Sequence, residues 1–258
     1  MLPVASWRHR SSINYMDFLI NIFNVVLYKP LFNLLIVLCQ YLPGNDFGVA
    51  IVTLTVLSRL VLYPLNFRAI KSQKILQELQ PKIQEIQNKY KNDKEKIAKA
   101  TIELYQKSKI NPLSGCVPIL IQLPILIALY LAFQRGFRPE EMTNVYSFIT
   151  APKEINPISF GVLNLTQPNF ILAIASGIAQ FFQAKMTTPS FKAKTKESDF
   201  STMMQKQMLY FFPVFTVLIL WRLPSAIALY WLVTSLFSIL QQYLVFKKPK
   251  YDHEERRA

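Results

Sequence analysis

Arg59 is the most unusual residue of this sequence, because a charged side chain lies within a long apolar segment. The five segments predicted below to span a membrane hold no other Asp, Glu, Lys or Arg. An arginine inside a membrane costs roughly 2.5–3.5 kcal/mol on insertion scales, so such residues commonly serve a function. However, Arg59 is about 10 Å along a helix from the end of its segment, near the limit at which a long side chain reaches the interface. A functional arginine and a snorkelling one therefore both remain open.

Uncharged polar residues of the same segments accompany Arg59. Thr55 lies four residues earlier, on the same helical face, and Gln122 lies in the middle of the second segment. Four further glutamines lie in the third and fifth segments: Gln180, Gln183, Gln241 and Gln242. One such residue is typical of a helix–helix hydrogen bond, but together they favour a water-containing cavity. The counter-charge of Arg59 would then be water, backbone or an arriving group.

The motifs of common enzymes are missing. No H-E-x-x-H, G-x-S-x-G, P-loop or dinucleotide-binding glycine pattern occurs. His9 and His253 lie near opposite ends, and no spacing resembles a zinc site. Cys39 and Cys116 lie in apolar segments, which indicates packing rather than a disulfide. We therefore expect no enzyme activity, no catalytic residue, no metal and no cofactor.

The composition indicates an all-α integral membrane protein. Of 258 residues, 52% are hydrophobic and 17% charged, against about 25% charged in soluble domains. Residues 110–134, 155–184 and 223–246 contain no charge at all, and about 20 apolar residues cross a bilayer as a helix. We predict five transmembrane helices, at 47–66, 113–133, 170–184, 207–221 and 225–246.

The segments outside these spans differ in character. Residues 1–46 are predicted to form a tail and an external interfacial amphipathic helix, broken at Lys29-Pro30. Residues 67–112 carry apolar residues at helical spacing among many charges, which predicts a cytoplasmic hairpin of two amphipathic helices. Pro81 should kink or restart the first helix, and Asn92 with Glu95 resembles a capping box that begins the second.

The charges of the loops predict the orientation, since Lys and Arg mark cytoplasmic segments. The net charge is +6 over 67–109, +3 over the loop 185–206 and +2 over the tail 247–258. The intervening loop, 134–169, is balanced and is predicted to be external. The N-terminus would then lie outside and the C-terminus in the cytoplasm of a multi-pass protein of the plasma or inner membrane.

Five stretches resemble the YidC/Oxa/Alb family of membrane protein insertases, in unbroken order over roughly 17–248. They are Val52–Leu65 (VTLTVLSRLVLYPL), Leu79–Ile83 (LQPKI), Lys109–Pro118 (KINPLSGCVP), Leu120–Ile125 (LIQLPI) and Leu229–Trp231 (LYW). The resemblance implies a five-span core with a cytoplasmic hairpin after the first span, as the charges also indicate.

The resemblance also implies a substrate groove. The family holds an arginine in a hydrophilic groove, and Arg59 occupies its position. Thr55, Gln122, Tyr230 and Trp231 match groove or substrate-contacting positions, although the family has tyrosine where this chain has Trp231. The implied activity is insertion of nascent hydrophobic segments and short polar tails into the bilayer without nucleotide hydrolysis, together with a chaperone role.

The implied partners are nascent membrane proteins, membrane lipids and the Sec translocon. The ribosome is expected to bind weakly through the basic loops and the tail, and no specific nucleic-acid sequence is expected. Two alternatives stay open on the residues alone. A solute or anion transporter or channel would use Arg59 as an anion site. A membrane-complex assembly subunit would pair Arg59 with an acidic residue of a partner span.

Overall fold

The computed structural model of the chain describes residues 10–91, 93–109, 111, 117–135, 139–150, 155–188 and 207–247. This part is mostly helical. Its α-helices are α1 (Arg10–Phe23), α2 (Lys29–Tyr41), α3 (Phe47–Val61), α4 (Tyr63–Lys89), α5 (Lys94–Lys107), α6 (Val117–Arg135), α7 (Phe170–Thr187), α8 (Phe212–Leu220) and α9 (Ser225–Phe246). Two-residue strands β1 (Ile158–Ser159) and β2 (Leu163–Asn164) pair antiparallel.

The chain forms two compact units, and α3 contributes to both. Unit 1 comprises residues 1–54 and 120–167, and Unit 2 comprises residues 55–119 and 168–258. Unit 1 thus contains α1, α2, the first half of α3, most of α6 and the two strands. Unit 2 contains the second half of α3, α4, α5, α7, α8 and α9.

Within the described residues, three helical segments are long and apolar enough to cross a membrane: Tyr15–Tyr41, Phe170–Thr187 and Ser225–Phe246. The bent pair α3 and α4 would make a fourth. Two shorter apolar helices cover Leu120–Arg135 and Gln207–Leu220. Helices therefore occupy all five predicted segments, which supports a mostly helical membrane fold, while the count of five crossings stays a prediction.

The predicted break at Lys29-Pro30 is wrong, because helical structure continues from α1 through a π-helical turn, Asn24–Tyr28, into α2. The N–H of Lys29 bonds to the carbonyl of Asn24, five residues earlier. Pro30 follows directly in the first turn of α2, where its missing N–H is tolerated. The wider π turn accommodates the proline without ending the helix. Whether this helix lies at the interface stays a prediction.

The helix of the first predicted span ends at Val61 rather than at Asn66. α3 and α4 meet at Leu62 with a bend of 67°, and Pro64 stands in the first turn of α4. A proline has no N–H for the carbonyl four residues earlier and its ring clashes with that carbonyl, which explains why the helix is interrupted at this point.

Two details of the predicted hairpin also differ. α4 passes through Pro81 as one helix, so the predicted restart is wrong, and the predicted kink stays a prediction. The N-cap of α5 is Asp93, whose carboxylate accepts the N–H of Lys96 at 3.0 Å, so the predicted capping role of Asn92 is wrong; Asn92 lies outside the described residues. A carboxylate satisfies an orphan N–H of the first turn and also interacts favourably with the helix dipole.

Asp46 organises one end of Unit 1. Its carboxylate accepts the N–H of Gly48 at 2.8 Å and of Val49 at 3.2 Å, so it caps the start of α3. It also accepts the Ser159 hydroxyl, within β1, and the Phe160 N–H at 2.7 Å, directly after β1. Burial acts to raise the pKa of Asp46, but these four hydrogen bonds outweigh it and lower the pKa below its usual value.

Small residues allow close helix packing in Unit 2. A Cβ added to Gly177 of α7 would stand 2.3 Å from Val217 Cγ2 and 3.2 Å from the Pro213 carbonyl oxygen, so α8 packs directly on the α7 backbone. Ser176 Oγ donates to the Ala228 carbonyl of α9 at 2.9 Å. Small residues and short hydroxyl side chains are what helix pairs in membranes use for close contact.

The helices α4 and α5 share an apolar cluster of their own. Ile75, Leu79 and Ile83 of α4 are buried, and Leu104 and Tyr105 of α5 pack against them. The cluster contains apolar side chains only, as the helical spacing of these residues predicts. Burial in this cluster raises the pKa of Tyr105.

Candidate functional site

Arg59 contacts Tyr230 in Unit 2. Arg59 lies in the last turn of α3, where its side chain is partly buried. Its guanidinium donates a hydrogen bond to the hydroxyl oxygen of Tyr230 in α9, whose side chain is only 2% exposed. Hydrogen bonds that involve a charged group are roughly twice as strong as neutral ones. The two helices therefore hold a fixed cation next to a buried hydroxyl.

Thr55 lies one helical turn before Arg59 and is 1% exposed. Its carbonyl oxygen accepts the hydroxyl of Ser58 at 2.8 Å. The side chain of Thr55 thus belongs to the buried face of α3, as the four-residue spacing predicts. Arg59, one turn further along this face, is more exposed than Thr55.

Trp231 is directed at a different partner from that of its neighbour Tyr230. Its indole N–H donates to Gln180 Oε1 of α7 at 3.1 Å. Adjacent residues of a helix point about 100° apart, so one of the pair faces α3 and the other α7. Trp231 therefore uses its indole donor to connect α9 with α7.

A polar face of α9 extends from Tyr230 towards the C-terminus of the helix. Thr234, Ser238 and Gln241 follow at steps of four, four and three residues, which places them on one side. Ser238 and Gln241 are 8% and 3% exposed, so this polar face is largely buried. In the described part of the chain, the hydroxyl of Thr234 has no hydrogen-bond partner. Buried polar atoms of this kind are commonly satisfied by water.

Gln122 belongs to Unit 1, whereas the other four predicted site residues belong to Unit 2. It lies in α6, two residues before the internal Pro124, and its side chain is partly buried. The structure thus brings Arg59 and Tyr230 together, places Thr55 on the same face of α3, and directs Trp231 to α7. The groove role of all five residues stays a prediction.

Sequence reasoning missed Lys74 and Gln77 of α4. Lys74 is 6% exposed although it is charged, and Gln77 donates to a carbonyl of α7. The available signal was positional: Ile70, Lys74 and Gln77 follow one another at steps of four and three, on one face. Within the residues that the structure describes, no group of three or more His, Cys, Asp or Glu side chains could hold a metal ion.

Comparison with known proteins gives consistent matches over most of the chain. The family described as "60Kd inner membrane protein" matches residues 38–253. A protein of Fusobacterium nucleatum subsp. nucleatum, described as "Membrane protein insertase YidC", is 35% identical over 204 residues, covering 79% of this chain and 88% of the relative. One of Oceanobacillus iheyensis with the same description is 36% identical over 208 residues, covering 79% of this chain and 76% of the relative.

A solved structure is similar in fold. Its description is "Active YidC insertase crystal structure with the first transmembrane domain resolved". The match has a TM-score of 0.57 and 26% sequence identity, and it covers 91% of this chain and 51% of the solved chain. The chain therefore corresponds to about half of that protein.

Proposed function

The chain belongs to the 60Kd inner membrane protein family, and from this premise we propose that it is a membrane protein insertase. The membership confirms the family resemblance of the motifs and, with several apolar helices, a multi-pass membrane location. The observation that carries the proposed mechanism is the contact between Arg59 and Tyr230 at the head of the polar face of α9.

The fixed charge of Arg59 lowers the barrier to an acidic or polar segment that enters the membrane. A carboxylate carried into hydrocarbon costs several kcal/mol, and a guanidinium offers it a charge-assisted hydrogen bond on the way. Tyr230 holds the guanidinium in place, so less reorganisation is needed when a substrate arrives. The polar residues of α9 carry water beside this path and shorten its dry part.

Release of the substrate into lipid needs no nucleotide. Once the polar tail has crossed, the apolar segment of the substrate moves sideways into the bilayer. Burial of apolar surface supplies roughly 25 cal/mol per Å², which drives this step. The same shielding of an apolar segment during its passage is a chaperone function.

The topology that we propose has five spans, with α4 and α5 as a hairpin in the cytoplasm. The loop charges support it, because the basic surplus lies in 67–109, 185–206 and 247–258. The N-terminus would be external and the C-terminus cytoplasmic. The proposed partners are nascent membrane proteins, lipids, the Sec translocon and, weakly through the basic segments, the ribosome.

Complementation of a strain depleted of its own insertase tests the proposal. The chain is supplied as wild type, Arg59→Ala, Arg59→Lys and, as a matched control, Arg222→Ala, whose arginine is exposed in the turn before α9. We expect insertion of a single-span substrate with an acidic tail by wild type and by the control. Loss of a charged hydrogen-bonding group corresponds to about 1.5–3 kcal/mol, or roughly 10–100-fold in rate, for Arg59→Ala.

Arg59→Lys should be better tolerated than Arg59→Ala, because the charge matters more than the planar shape of the guanidinium. If the wild-type chain does not restore insertion, the insertase proposal is wrong. If wild type and all three variants insert equally well, the arginine mechanism is wrong while the family membership stands.

A further inference from the structure

Two side chains of α4 reach the C-terminal ends of two other helices. Gln77 Nε2 donates to the carbonyl oxygen of Met186, in the last turn of α7, at 3.1 Å. Lys74 Nζ lies 3.5 Å from the carbonyl oxygen of Val245, in the last turn of α9. The last four carbonyls of an α-helix lack a partner within the helix. The side chains of α4 therefore serve as caps for α7 and α9.

Lys74 is suited to this contact by its charge. Its side chain is 6% exposed, and a buried ammonium needs compensation. The C-terminal end of a helix carries a partial negative charge, so a cation placed there is stabilised. Lys74 and Gln77 are three residues apart and thus share one face of α4.

α9 also holds the start of α4. Gln241 Nε2 donates to the carbonyl oxygen of Tyr63 at 3.3 Å, directly after the 67° bend between α3 and α4. Gln241 is 3% exposed. The same helix therefore contacts the chain before the bend through Tyr230 and Arg59, at the bend through Gln241, and after the bend through Lys74.

The three contact residues of α9, which are Tyr230, Gln241 and Val245, occur in the same order as their partners Arg59, Tyr63 and Lys74. Gln241 lies 11 residues beyond Tyr230, about three helical turns or 16 Å. Because α9 is one continuous helix, a displacement of α4 that moves the end of α9 also moves Tyr230. Arg59 is only three residues before the bend at Leu62.

We propose that Lys74 and Gln77 are positioning residues of the insertase site. They hold α4 at the C-terminal ends of α7 and α9. α9 then contacts the chain on both sides of the bend, and this keeps Tyr230 in contact with Arg59. This role rests on the proposed function, because it assigns the residues to the Arg59 site rather than to general stability.

The test compares four variants of the full chain in lipid nanodiscs and in insertion assays. Lys74→Met keeps the apolar stem and removes the charge, whereas Lys74→Arg keeps the charge. Gln77→Leu removes the second cap. Lys82→Met is the matched control, because Lys82 is an exposed lysine of the same helix. Two properties are measured: amide hydrogen exchange over 63–89, and the insertion rate of a single-span substrate with an acidic tail.

We expect Lys74→Met to increase the exchange rate of α4 amides about ten-fold, the size of a favourable, partly buried contact with a helix end. Its insertion rate should fall about five-fold, Lys74→Arg should recover most of both properties, and Lys82→Met should match wild type. Gln77→Leu should act in the same direction to a smaller extent. It provides the same test, without any change of charge, if Lys74→Met does not accumulate in the membrane.

Wild-type exchange in both Lys74→Met and Gln77→Leu would overturn the capping role. Faster exchange with unchanged insertion would overturn the link to the Arg59 site, and so would a failure of Lys74→Arg to recover insertion. A wild-type chain that inserts nothing would instead refute the proposed function, and the exchange measurement would still decide whether α4 is held by these caps.

Discussion

Replacement of Tyr230 by phenylalanine removes only the hydroxyl oxygen that accepts the Arg59 hydrogen bond. The ring is 2% exposed, and phenylalanine retains its packing in α9. A hydrogen bond to a charged group contributes about 1.5–3 kcal/mol. We therefore expect Tyr230→Phe to lower the free energy of unfolding by this amount, and the melting temperature by roughly 2–4 °C for each kcal/mol.

A double-mutant cycle assigns this loss to the pair. The cycle consists of wild type, Arg59→Met, Tyr230→Phe and the double variant, with unfolding followed in detergent micelles. If the two side chains interact, the double variant loses less stability than the sum of the single variants, by about 1.5–3 kcal/mol. Tyr243→Phe is the matched control, since Tyr243 lies on the same helix and is 54% exposed; it should change stability little.

Additive losses, within about 0.5 kcal/mol, would refute the contact as an energetic link between α3 and α9. The same four variants should be compared in the insertion assay. We expect Tyr230→Phe to slow insertion less than Arg59→Met, because the cation remains and only its orientation is relaxed. The opposite order would contradict the role of Tyr230 as the partner that orients Arg59.

Three further predictions concern parts of the fold that support the site. Asp46→Ala should destabilise Unit 1 by about 1 kcal/mol, the cost of a lost N-cap. Because the pKa of Asp46 is lowered in the folded state, wild type should lose this stability as the pH falls through that lowered pKa. The melting temperature of the variant should therefore depend less on pH in acid than that of wild type. Gly177→Ala should destabilise by about 1–3 kcal/mol through its clash with Val217, and Val217→Ala in the same chain should recover part of the loss in a thermal melt. Leu79→Ala should loosen α4 from α5 at a cost of about 2–5 kcal/mol, since Leu79 is 2% exposed; faster hydrogen exchange over 94–107 would report it, and unchanged exchange would refute the contact.

The sequence predicted the helical segments well, because a charge-free run of about 20 residues has few other solutions. It also predicted that the apolar faces of α4 and α5 pack together, since apolar residues at helical spacing among charges require a partner face; their place as a cytoplasmic hairpin stays a prediction. The local errors lie at prolines and caps. Pro30 is accommodated by a π turn, Pro64 coincides with the bend, and Asp93 rather than Asn92 caps α5.

The site was predictable in its residues but only partly in its contacts. A single arginine in an apolar segment is recognisable as a candidate functional residue, and helical spacing places Thr55 on the same face of α3. Nothing in a sequence states that Tyr230 faces α3 while Trp231 faces α7, because that depends on how α9 is rotated. The contacts of Lys74 and Gln241 join residues 171 and 178 positions apart, and such pairs follow from tertiary packing alone.

Insertion by the purified chain in liposomes of defined lipids tests the proposed insertase function most directly. The substrate is a single-span protein with an acidic tail, supplied without nucleotide, ribosome or any other membrane protein. We expect the tail to become protected from external protease in liposomes that contain the wild-type chain, and to be protected much less with Arg59→Ala. Protection no greater than in empty liposomes, or protection that requires added nucleotide, would contradict the proposed function.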